Sequence, residues 1–233
     1  MFDNQAARKK LPRRGRTARA ATCVGAALMA AGIGMHPAAA ATATGSAGRP
    51  ATATADSSLS GSRLGLADLI QKADFYQQGL NPVSATVGMT GKQALSACSG
   101  EETMQALTKG KAGAYADVTW TFDTKDTLLT ESVAETSTTT SAASYENRLD
   151  RLVRSCQDEP AGHWYYGQGH AITLKTGQGR WYPAFKGDGE AAGGVAVIRS
   201  GHRFGIVGLS GQPSDDPGYM EGIAAIAINR LSA

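Results

Sequence analysis

Ser141–Cys156 reads SAASYENRLDRLVRSC, and the rest of the chain is best read outward from it. Tyr145, Leu149, Leu152, Val153 and Cys156 fall at i, i+4, i+7, i+8 and i+11. That spacing is one apolar stripe on an α-helix, with Glu146, Arg148, Asp150, Arg151 and Arg154 left for water. Just upstream, Leu128–Glu135 reads as a strand that enters the helix through the Ser/Thr tract Thr136–Ser141. Before it, Ala114–Phe122 alternates strictly. Ala114, Ala116, Val118, Trp120 and Phe122 share one face, and Tyr115, Asp117, Thr119 and Thr121 the other. A strand with one buried face, a turn at Asp123–Asp126, a second strand and the helix make a ββα unit.

The flanks extend the pattern. Leu66–Tyr76 places Leu66, Leu69, Ile70 and Ala73 on one helical face, and Asn81-Pro82 ends it. Val83–Thr90 reads as a short strand and Glu101–Thr108 as a short helix stopped by Gly110. After Asp158-Glu159-Pro160 the chain is mostly strand: Trp164–Gly167, Ala171–Thr176, Arg180–Phe185, Gly194–Ser200 and Arg203–Leu209. Gly177-Gln178-Gly179 and Ser200-Gly201-His202 mark tight turns. Pro217–Leu231 is a closing helix, with Asp216 as its N-cap. Strands with helices before, between and after them predict an α+β fold: an antiparallel sheet with helices packed mainly on one face, held by one disulfide.

The first 40 residues carry an export signal. Arg8, Lys9, Lys10, Arg13, Arg14, Arg16 and Arg19 form a basic lead, and Ala20–Met35 is small and apolar. Ala38-Ala39-Ala40 has the small-x-small pattern that predicts cleavage after Ala40. Residues 41–62 are rich in Ala, Thr, Ser and Gly, a composition expected of a disordered spacer. Residues 63–233 are then one domain, large enough to bury roughly 70% of its unfolded surface. Cleavage takes 7 of the 23 basic residues and 1 of the 20 acidic ones, so the mature chain has a net charge of −3. That leaves no electrostatic case for nucleic acid. No stable membrane insertion is expected once the signal is removed. Two cysteines remain, Cys98 and Cys156, and an even pair in an exported chain predicts a bridge between them.

Motifs for chemistry are sparse. His163, His170 and His202 have no metal-ligand spacing, so neither a metal site nor a cofactor is expected. Gly-x-Ser-x-Gly is absent; Gly208-Leu209-Ser210-Gly211 resembles it only in composition. A hydrolase built on Ser210 with His170 or His202 is therefore the alternative reading, and an envelope interaction or inhibitor module is another. The most uneven feature is aromatic. Trp164, Tyr165, Tyr166, Trp181, Tyr182 and Phe185 crowd two predicted strands. Alternation sends one set into the core and leaves the other to line a groove. The candidate ligand-binding residues are Trp164, Tyr166 and Trp181, with His170 and Arg180 as orienting polar groups.

The order of these pieces resembles a known family. A cysteine precedes a short helix. The strands AYADVTWTF and LTESVAET lead to YENRLDRLVRSC, then to GGVAVIRSGHRFGIVGL and a last helix, IAAIAINRL. This is similar to the PknH-like extracellular sensor domains of actinobacteria, across about Leu66–Leu231. The resemblance implies an α+β domain with a cleft for a small ligand and disulfide clamping of helices to the sheet. It carries over no catalytic residue. The family's best-known member has two disulfides, whereas the mature chain here can form one. With no kinase or spanning segment in the sequence, direct transmembrane signalling is not expected. The function expected is a secreted, non-enzymatic binding protein for a small apolar, amphipathic or glycan ligand, or another cell-envelope component.

Overall fold

The computed structural model describes residues 63–76, 78–97, 102–124, 127–211 and 218–233. The expected signal, the spacer and Cys98 lie outside them. Eight strands form one antiparallel sheet: β1 (Pro82–Gly88), β2 (Ala114–Phe122), β3 (Leu128–Glu135), β4 (Tyr165–Tyr166), β5 (His170–Thr173), β6 (Gln178–Phe185), β7 (Ala191–Ser200) and β8 (Arg203–Ser210). Their order is β1-β2-β3-β8-β7-β6-β4, with β5 also pairing to β6. Among the described residues, four helices accompany them: α1 (Lys72–Tyr76), α2 (Met104–Thr108), α3 (Thr139–Arg154) and α4 (Gly218–Leu231). Antiparallel α+β is therefore right, and β2 and β3 have the predicted bounds.

The expectation of helices mainly on one face is corrected. Helices cover both faces. On one side, Phe75 of α1 and Ile223, Ala224, Ala227 and Ile228 of α4 pack with Val118, Leu129, Ala196, Ile198 and Val207 of the sheet. On the other, Met104 and Leu107 of α2 and Leu149 and Val153 of α3 pack with Tyr182, Val195, Val197, Phe204 and Ile206. The cause lies in the central strands. In β7, Val195 and Val197 point one way and Ala196 and Ile198 the other, and all four are buried. A strand apolar on both sides needs a layer on each. The alternation of β2 describes only its own end of the sheet.

α3 carries the predicted stripe. Ala142, Leu149 and Val153 are fully buried, and Tyr145 and Leu152 are half-buried beside them. Complete burial of a leucine or valine side chain contributes about 1.5–3 kcal/mol. The helix begins inside the Ser/Thr tract, where the Thr138 hydroxyl accepts from Ser141 N–H at 3.1 Å. Arg148 ties it to α2 by donating to the Leu107 carbonyl at 2.8 Å.

The helix predicted over Leu66–Tyr76 is broken. Leu66–Asp68 is one 3-10 turn, Leu69 is extended, and α1 starts at Lys72. One carboxylate from the sheet takes an N–H that a continuous helix would use internally, and another fixes the chain just before the segment. Glu135 accepts from Leu64 N–H at 3.1 Å and Glu131 from Ile70 N–H at 2.7 Å. Asp68 is drawn to the buried Arg203 guanidinium at 2.9 Å, which also meets Glu135 at 3.2 Å and the Leu231 carbonyl at 3.1 Å. No helix among the described residues is long and apolar enough to cross a membrane.

Candidate functional site

A cavity of about 220 Å³ opens on the α2/α3 face, over one end of β3, β8, β7 and β6. Its base is made of small residues, Ala184, Ala192 and Gly208, which leave room above the strands, and of the Gly194 backbone. One wall is aromatic. Trp164 and Tyr166, two residues apart, lean together edge to face with ring centres 4.5 Å apart. Tyr166 is buried, and burial raises the pKa of its phenol, which keeps it a neutral donor. Trp164 remains 41% exposed, unlike the other two tryptophans.

The facing wall is Ser96-Ala97, and its position is set by hydrogen bonds. Tyr166 donates to the Ser96 carbonyl at 3.0 Å, and the Ser96 and Thr130 hydroxyls are 2.6 Å apart. A Cβ on Gly208 would lie 2.1 Å from the Ser96 hydroxyl oxygen, so only glycine lets this loop settle on β8. The loop starts at Gly91, whose N–H donates to Asp117 at 3.1 Å. Its φ of +64° and its approach to the Tyr115 ring both favour glycine there. Burial raises the Asp117 pKa, and the hydrogen bonds from Ser132 and Gly91 oppose that rise.

The five candidate residues do not converge. Trp164 and Tyr166 share the cavity. Trp181 is 4% exposed and packs in the core on the opposite face of the sheet. His170 faces it in the β5–β6 register and stacks flat on its ring, centres 4.3 Å apart. Arg180 lies in a separate polar groove of about 290 Å³ between α3 and β6, with Glu146, Asp150 and Gln178. There the Arg199 guanidinium meets Glu146 at 2.6 Å, Arg154 meets Asp150 at 3.0 Å, and Tyr182 donates to Asp150. Glu146, Asp150 and Arg154 flank the apolar stripe at i, i+4 and i+8. That spacing was the signal that they are not simply a solvated face.

Ser210 lines the cavity and donates to the Leu128 carbonyl at 3.4 Å. His202 stands at the other end of β8, against Glu135 at 3.8 Å, and His170 belongs to the opposite face. Neither histidine is placed to take a proton from Ser210. Among the described residues, no group of three or more His, Cys, Asp or Glu side chains could hold a metal ion.

No family model matches this chain, and no curated protein does. Among solved structures, the extracellular domain of PknH from Mycobacterium tuberculosis is similar. The TM-score is 0.45 at 11% identity, over 71% of this chain and 93% of that one. At that level the likeness assigns neither a site nor a ligand.

Proposed function

We propose that this chain is a secreted, non-catalytic binding protein of the PknH-like sensor type, with its signal removed after Ala40. Its ligand enters the cavity walled by Trp164, Tyr166 and Ser96. The half-exposed Trp164 carries the reading: a large flat ring held by Tyr166 at the mouth of a hollow is a surface on which a ligand can stack. Size narrows the ligand class. At about 220 Å³ the hollow is below the roughly 300–1,000 Å³ of drug-sized pockets. It suits one sugar ring or a short acyl segment, with the Ser96, Thr130 and Ser210 hydroxyls available for orientation. Trp181 lies in the core, so it supports the sheet instead of touching ligand.

A disulfide between Cys98 and Cys156 is part of the proposal. Cys156 is buried, and Leu95 and Ala97, just before Cys98, pack in the same apolar cluster. Thermal shift and tryptophan fluorescence against monosaccharides, peptidoglycan fragments and short fatty acids test the binding role. One class should stabilise the protein by about 2.7 kcal/mol at 100 times its Kd. Trp164→Ala should weaken that ligand at least tenfold while leaving the melting temperature nearly unchanged. Equal binding by wild type and Trp164→Ala would remove this cavity as the site.

A further inference from the structure

The geometry points to a second copy of this chain as the partner of β1, paired antiparallel about Ala85 so that two sheets join across a twofold axis. β1 is the outermost strand, and among the described residues no strand lies on its free side. Such an edge presents unpaired backbone N–H and C=O groups, which proteins usually shield with charges, proline or very short strands. The opposite edge is shielded in this way, because β6 is flanked there by the short strands β4 and β5. β1 is longer, and its one irregularity is the slip of register with β2 at Val83. Pro82–Thr90 reads PVSATVGMT, without a single charge, and its one proline is at the buried start. Val83 is 66% exposed and Val87 53%.

The strand is close to its own complement. Residues 83–87, Val-Ser-Ala-Thr-Val, carry the same chemistry in either direction from Ala85. Antiparallel pairing about that residue sets Ser84 opposite Thr86 and Ala85 opposite its own copy, and brings Val83, at the slip in register, beside Val87. Valine meets valine on one face and hydroxyl meets hydroxyl on the other. Each such cross-strand pair contributes roughly 0.2–1 kcal/mol. The hydroxyl face already pairs this way on the inner side, where the Ser84 and Thr121 oxygens are 2.6 Å apart.

Charge agrees with the same orientation. Exposed Asp123 stands at the start of β1, bonded to Asn81 at 3.3 Å, and exposed Lys92 follows its end. A twofold arrangement brings the acidic end of each copy toward the basic end of the other, as a self-complementary interface requires. An extended segment of another protein could take the backbone bonds, and the matched residues and ends are what favour a second copy. A strand pair covers less than the roughly 1,600 Å² of a standard interface, so the dimer should be weak and concentration-dependent.

Sedimentation of the purified chain over a micromolar to millimolar series tests this. The apparent mass should rise toward twice the monomer. Ala85→Lys and Ala85→Glu each place like charges face to face on the axis, and each should stay monomeric. Circular dichroism and melting temperature show whether each remains folded. An equimolar mixture of the two should dimerise again, which only this register predicts. A wild-type chain that stays monomeric, or one that binds only extended peptides at this edge, overturns the proposal. So do folded Ala85→Lys and Ala85→Glu variants that still dimerise alone, or that fail to pair when mixed.

Discussion

Glu131 is a carboxylic acid in an apolar place. It is fully buried under α4 and accepts from Ile70 N–H, while its second oxygen has no hydrogen-bond partner. Burial pushes its pKa up to about 8, and Asp74 adds to the rise while Arg230 and the Ile70 N–H oppose it. The native state therefore holds a proton that the unfolded chain, with a carboxyl near 4.5, has lost. Its stabilising effect is complete below about 4.5 and is lost as pH rises through about 8. Thermal melts from about pH 5 to about pH 9 should show a falling melting temperature. Glu131→Gln keeps an acceptor for Ile70 and cannot ionise, so its melting temperature should fall much less. A variant whose curve ran parallel to wild type would place the dependence elsewhere.

Among the elements, α3 offers the most direct test of packing, because beside α2 it covers β7 and β8 on one face. Leu149 sits at 0% exposure among Val195, Phe204 and the rest of that cluster. Leu149→Ala should cost about 2–5 kcal/mol in urea denaturation. A loss under about 1 kcal/mol would mean that the helix is not packed as described. The elements most legible in the sequence were those whose pattern is local. β2 alternates strictly, β3 follows it after a short turn, and both begin and end where the residues say. The 66–76 segment was misread because its decisive partners, Glu131, Glu135 and Arg203, are more than 60 positions away. The aromatic half of the cavity was legible, since Trp164 and Tyr166 at i and i+2 must share a face. Its base was not. Ala184, Ala192 and Gly208 have no chemistry singly and matter only by what they leave empty.

At the scale of the molecule, two layers of helices hold one sheet between them, and the proposed Cys98–Cys156 bridge would clamp the layer containing α3. Closing a loop of that length contributes about 4 kcal/mol by chain entropy. Non-reducing mass analysis of residues 41–233 should find no free thiol, and reduction should lower the denaturation midpoint by a corresponding amount. Two titratable thiols in the native protein would refute the bridge. The same construction places Arg203 between Asp68, near the start of the domain, and the carbonyls of Leu231 and Ala233 at its end. The two ends are thus joined through this guanidinium, through Leu64 N–H on Glu135 and through Arg230 on Asp74. Start and finish of the domain are therefore fastened to each other by charge as well as by the packing of α4.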